Sequence, residues 1–205
     1  MHEHCLHILS KDERMRADGF KFERLRHDFI VCRGTLRSIL SNYCHRRPQD
    51  LRFGYTENGK PYLEETPDLN FNLSHSSGLM MCAVGFNREV GIDAELIDRK
   101  TPCLELANRY FSVEEADLLR AAPHEAREKV FFQIWTRKES YVKALGFGLS
   151  VPLNSFSVFR AQEHWSIVDI DAGPNYAAAL SVEGFDWQPD FFEATHNVFS
   201  GDNEA

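Results

Sequence analysis

Helical and strand-like periodicities follow one another twice along this chain, and that order limits the folds open to it. Between residues 22 and 43, Phe22, Leu25, Phe29, Cys32, Leu36, Ile39, Leu40 and Tyr43 recur at three- and four-residue steps. That spacing predicts a long helix with one buried stripe. Arg24, Arg26, His27, Arg33 and Arg37 fall off the stripe and read as its solvated face. Pro48 stops the helix, residues 50–55 read as extended, and Asn58-Gly59 marks a turn. Residues 71–75 alternate apolar and polar, and 79–86 form an apolar run of strand length. Residues 90–96 give the strongest period-two pattern, with Val90, Ile92, Ala94 and Leu96 alternating with Gly91, Asp93 and Glu95. Ser112 followed by Glu115 is a capping box. Residues 129–145 are helical by spacing, and Gly146-Phe147-Gly148 closes them. Strand-like runs follow at 156–160, 165–170 and 176–182. Helix followed by strands, first over about 9–88 and again over about 89–182, predicts an α+β fold and not an alternating βαβ one. Residues 1–88 form an N-terminal α+β half in this reading, and 89–205 a C-terminal α+β half with an acidic tail.

Charge narrows the partners. The 205 residues carry a net charge of −8 with 43% hydrophobic and 26% charged residues, an ordinary globular balance. Residues 1–50 hold 10 Lys and Arg against 7 Asp and Glu, whereas 161–205 contain no Lys or Arg. An acidic chain with one basic end is a poor general binder of nucleic acid. It can still build a local cationic patch around a small phosphate ligand. No run of about 18 apolar residues spans a membrane, and the N-terminus lacks a signal core, so a cytoplasmic location is expected. The five cysteines are scattered without a CxxC pair, which argues against a disulfide framework or a thiolate zinc site. His2, His4, Cys5 and His7 read as a frayed tail able to chelate metal adventitiously.

Chemistry-bearing residues concentrate in three places. Asp93 and Glu95 share a strand face, because side chains two apart point the same way. Two carboxylates held at ~4 Å repel by about 4 kcal/mol at an effective dielectric near 20. The pair is therefore either solvated or neutralised by a cation, and hard oxygen ligands suit Mg²⁺ or Mn²⁺. Glu139 and Lys143 are neighbours one helical turn apart. They form an ordinary surface ion pair, or a third ligand or base beside a phosphate contact. Ser74-His75-Ser76 suggests a nucleophile and a base, but adjacent strand residues face opposite ways, so a Ser-His dyad is geometrically poor. There is no Walker loop and no GxGxxG.

Four blocks, in order, carry a resemblance. They are Gly59-Lys60-Pro61; Phe71-Asn72-Leu73-Ser74-His75-Ser76; Val90-Gly91-Ile92-Asp93-Ala94-Glu95; and FFQIWTRKESYVKALGFGL over 131–149, which contains W-x-x-K-E-x-x-x-K-x-x-G-x-G-L. On these the chain resembles the 4′-phosphopantetheinyl transferases of the surfactin-synthetase-activating class, over about residues 9–182. The resemblance implies two similar α+β halves related by pseudo-twofold symmetry, with the active site between them. It implies transfer of the phosphopantetheine arm of coenzyme A to a serine of an acyl, peptidyl or polyketide carrier protein, with adenosine 3′,5′-bisphosphate as the other product. By the same resemblance Asp93, Glu95 and Glu139 hold Mg²⁺, Glu139 is the base for the acceptor serine, and Lys143 stabilises charge on the diphosphate. Lys60 and Pro61 border the adenine, Ser74 and His75 lie near the nucleotide phosphates, and Arg24 meets the 3′-phosphate. Glu115 matches a position linked to the metal, and the capping box accounts for it equally well.

Two positions depart from the pattern. Eight residues precede Leu9, where the family has a first strand, and its phosphate-touching lysines fall here on Glu13 and Arg16. Two other functions use the same residues: a metal-dependent diphosphate hydrolase that needs no carrier, and a non-catalytic carrier binder. A two-half architecture favours a monomer.

Overall fold

The computed structural model describes residues 1–160 and 162–193, in six α-helices and seven β-strands. Two compact units emerge among the described residues, one of Met1–Arg52 with residues 188–193, the other Phe53–Trp187. The α+β class expected from the sequence is the one observed.

The first unit is helical: α1 (His2–Ile8), α2 (Lys11–Asp18) and α3 (Glu23–Cys44), followed by a 3₁₀ turn at Pro48–Asp50. The N-terminus is not frayed. Cys5 is fully buried among Leu9, Ala17 and Ile30. A Cβ at Gly34 would lie 2.4 Å from that of Cys5, so α1 can close on α3 only at a glycine. A helix thus stands at the position where the sequence departs from the first strand of the family it resembles.

The stripe on α3 also differs from its periodicity. Phe22 and Leu25 are exposed, and Arg37, placed on the solvated face by spacing, is 2% exposed. The cause is Glu13 on α2, whose buried carboxylate binds Arg33 and accepts from Arg37 Nε at 2.7 Å. Arg37 Nη1 donates to the carbonyls of Pro48 (2.7 Å) and Leu51 (3.0 Å). A guanidinium supplied with this many acceptors can be buried where a bare charge could not.

In the second unit β1 (Phe53–Tyr55) and β2 (Pro61–Leu63) pair antiparallel across Asn58-Gly59, with Gly59 at φ +84°. β3 (Leu69–Ser76) and β4 (Leu79–Phe86) form a hairpin closed by Ser77-Gly78, both with positive φ as a tight hairpin turn requires. β5 (Val90–Leu96), β6 (Trp165–Ile170) and β7 (Tyr176–Glu183) form an antiparallel sheet in the order β5-β7-β6. Between β5 and β6 come α4 (Cys103–Tyr110), α5 (Val113–Ala121) and α6 (Arg127–Leu145). Phe111, Phe131 and Trp135 stack where these helices meet, with Leu119 and Ile134 in the same core.

Residues 156–160 are not a strand, contrary to their apolar alternation. A buried ion pair takes up the backbone groups that a strand ladder would use. Lys138 Nζ lies 2.7 Å from Glu115 Oε2, with both side chains fully buried. The same ammonium donates to the carbonyls of Leu153 (2.8 Å) and Phe156 (2.7 Å). Val158 N–H donates to Glu115 Oε1 at 2.8 Å.

Candidate active site

β5 and α6 supply the acidic residues. They can lie close because Gly91 faces the helix: a Cβ there would meet Ser140 O at 2.1 Å and Ala144 N at 2.4 Å. Ser140 Oγ and Ser181 Oγ, 2.8 Å apart, tie α6 to β7. Strand alternation sends Asp93 and Glu95 to one face. Lys143, one turn beyond Glu139 on α6, donates to Asp93 Oδ1 at 2.6 Å and to Ser74 Oγ and the Ile92 carbonyl, both at 3.2 Å. The other Asp93 oxygen, Oδ2, is buried with no hydrogen-bond partner.

The carboxylates act on one another. Burial pushes the Glu139 carboxyl up, and the charges of Asp93 and Glu95 add to this against the pull of Lys143. Burial also pushes Glu95 up, with Asp93 raising it further, while a hydrogen bond from Ser76 and the charges of Lys143 and His75 pull it down. Three acids thus share one field that a single ammonium only partly offsets. Among the described residues, no three His, Cys, Asp or Glu side chains converge tightly enough to form a metal cage as they stand. The donor set nevertheless suits a hard cation: an unpartnered buried oxygen on Asp93, and two carboxylates held above their ordinary range by burial first and by one another's negative charge second.

β3 contributes through side chains alone. Ser74 Oγ lies 3.0 Å from Asp93 Oδ1 and accepts from Ala94 N–H at 3.2 Å. Asn72 Oδ1 accepts from Ile92 N–H at 2.9 Å. Sequence reasoning did not single out Asn72 or Ser76, although the polar alternation Asn72-x-Ser74-x-Ser76 was there to be read. His75, next to Ser74 on the strand, is exposed and near enough for its charge to act on Glu95.

Lys60 and Pro61 lie outside the cluster of acids. Lys60 Nζ donates to Glu89 Oε2 (2.6 Å), to the Ala144 carbonyl (2.8 Å) at the end of α6 and to the Val90 carbonyl (3.4 Å). It lines two depressions of about 460 and 140 Å³, and Pro61 lines the smaller. Neither contains Asp93, Glu95 or Glu139. Arg24 stands exposed on the first turn of α3, 3.8 Å from Asp28. Glu115 closes the capping box, with Ser112 N–H donating to it at 2.8 Å, and it also neutralises Lys138. These partners are structural. Phe111 is a core residue, whereas Phe147 and Val113 are exposed.

Comparison with known proteins gives this arrangement a family. A model described as the 4′-phosphopantetheinyl transferase superfamily matches residues 89–191. A second, described as 4′-phosphopantetheinyl transferase, N-terminal, matches residues 1–86. The chain is 40% identical over 195 residues to 4′-phosphopantetheinyl transferase HetI of Nostoc sp., covering 90% of this chain and 82% of that protein. It is 34% identical over 161 residues to 4′-phosphopantetheinyl transferase Sfp of Bacillus subtilis, covering 78% and 70%. With adjoining matches over 1–86 and 89–191, the chain belongs to the 4′-phosphopantetheinyl transferase superfamily.

Proposed function

We propose that this protein transfers the 4′-phosphopantetheine arm of coenzyme A to a serine of a carrier protein, depends on Mg²⁺, and releases adenosine 3′,5′-bisphosphate. The observation that carries this reading is the gathering of Asp93, Glu95, Glu139 and Lys143 on β5 and α6, within a chain of this family. Asp93, Glu95 and Glu139 would hold the Mg²⁺, which when bound offsets carboxylate repulsion and the charge of the diphosphate.

The chain's own groups account for the rest. The acceptor serine oxygen bonds to the phosphorus that carries the pantetheine. The bond from that phosphorus to the bridging oxygen of the diphosphate breaks, and adenosine 3′,5′-bisphosphate departs. The serine proton passes to Glu139, whose raised carboxyl is a better base than an ordinary glutamate. Lys143 turns its ammonium from Asp93 toward the charge growing on the leaving phosphate. Lys60 and Pro61 border the adenine, Ser74 and His75 serve the phosphates, and Arg24 meets the 3′-phosphate. Work as a monomer in the cytoplasm is part of the same proposal; all five cysteines are free thiols, and no helix among the described residues is long and apolar enough to cross a membrane.

Mass spectrometry of apo carrier proteins incubated with the protein, coenzyme A and Mg²⁺ tests this. The carrier gains the phosphopantetheine mass, and the gain disappears with a chelator. Coenzyme A cleaved at the same rate without carrier would replace transfer by hydrolysis. An unmodified panel of fatty-acid, polyketide and peptide carriers would overturn the reading.

A further inference from the structure

β3 and β5 lie in different sheets, yet three contacts join them in step: Asn72 with Ile92, Ser74 with Ala94, Ser76 with Leu96. Both residue numbers rise together, so the strands run in the same direction. In each contact a β3 side chain accepts a β5 N–H that no neighbouring strand takes up. At the two serines the bond does more. Ser74 Oγ accepts from Ala94 and lies 3.0 Å from Asp93 Oδ1. Ser76 Oγ accepts from Leu96 N–H at 3.1 Å and donates to Glu95 Oε2 at 2.9 Å. A hydroxyl has one proton to give. Once the backbone N–H fixes the oxygen, that proton is directed at the carboxylate.

We infer that Ser76 is a positioning residue for Glu95, holding one oxygen of that carboxylate so that the side chain is set for a divalent cation before the cation arrives. The inference rests on the metal role proposed above for Asp93, Glu95 and Glu139. Asp93 has two anchors, Ser74 and Lys143, whereas Glu95 accepts from Ser76. Glu95 therefore depends more on its serine than Asp93 does. Partners that orient a metal ligand typically govern 10- to 100-fold in metal affinity.

Mn²⁺ is the probe, titrated with coenzyme A present and followed by electron paramagnetic resonance. Ser76→Ala weakens Mn²⁺ binding by about tenfold or more, and the Mg²⁺ concentration for half-maximal transfer rises by a similar factor. Ser76→Thr, which keeps the hydroxyl, returns both close to wild type. Ser166→Ala removes a side-chain bond from β6 to the Gly184 carbonyl and serves as the structural control: it lowers the melting temperature and leaves Mn²⁺ affinity unchanged. If Ser76→Ala does not fold, Ser76→Cys, whose thiol is a weak donor, carries the same comparison. Wild-type Mn²⁺ affinity in a folded Ser76→Ala or Ser76→Cys protein overturns the positioning role and leaves the transferase reading intact. Failure of the wild type to bind Mn²⁺ overturns the metal reading and the positioning role with it.

Discussion

Glu139 carries two opposed demands. As a base it needs to sit above the ordinary carboxylate range, and burial beside Asp93 and Glu95 puts it there. The same burial costs stability, because an anion is taken from water toward other anions. Glu139→Gln separates the two effects while keeping the shape. Transfer falls by roughly 10²- to 10⁴-fold, the usual worth of a positioned base. The melting temperature measured without divalent metal stays level or rises, since a repelled buried charge has gone. Thermal melts beside the carrier assay check this. A melting temperature several degrees lower would mean that Glu139 holds the fold together. Glu115 makes the contrast. Its carboxylate has Lys138, Ser112 N–H and Val158 N–H around it, so nothing there is left over for chemistry. Its capping role was visible in Ser112-Val113-Glu114-Glu115, but Lys138 and Val158 are 23 and 43 residues away, and local spacing carries no record of such partners.

At the scale of elements, the site depends on how near α6 comes to β5. Gly91→Ala places a methyl against backbone atoms of Ser140 and Ala144 that have no rotamer by which to escape. Overpacking of this kind costs about 1–3 kcal/mol or more. Because the helix must move, transfer should fall together with stability in denaturant unfolding. An unchanged unfolding midpoint would show that α6 can shift freely. Elements with a clean period were legible in advance: β5, β6 and α6 lie where alternation and heptad-like spacing placed them, within a residue or two. So were Asp93 and Glu95 on one face, which follows from strand geometry alone. Two elements were misread for one reason. Residues 156–160 have the alternation of a strand, and α3 has the stripe of a simple amphipathic helix, but in both a buried charge decided the outcome. Lys138 and Glu115 claim the backbone at 153–158, and Glu13 draws Arg37 inward. Hydrophobic period records where apolar groups fall and is blind to a charge that brings its own counter-ion.

For the molecule as a whole, net charge and specific pairing set different pH limits on stability. The chain carries −8 at pH 7 and passes neutrality near pH 5.6, so general self-repulsion is smallest on the acid side of neutral. Glu13 opposes that trend. Burial alone would raise its carboxyl, but Arg37 and Arg33 outweigh burial and hold it below the ordinary range. A carboxylate depressed in the folded state stabilises above its unfolded value of about 4.3, and the contribution drains away as pH falls through the folded value. One proton sets the slope at no more than about 1.4 kcal/mol per pH unit. Glu13→Gln leaves two buried or nearly buried guanidinium groups without their carboxylate, at a cost near pH 7 of about 3–5 kcal/mol. Protonating Glu13 removes the same charge from the wild type. The stabilities of the two proteins, measured by denaturant unfolding from pH 7 down to about 3, should therefore converge below about pH 4.3. Curves that stay parallel across that range would mean that Arg37 is held by the carbonyls of Pro48 and Leu51, with the carboxylate contributing little.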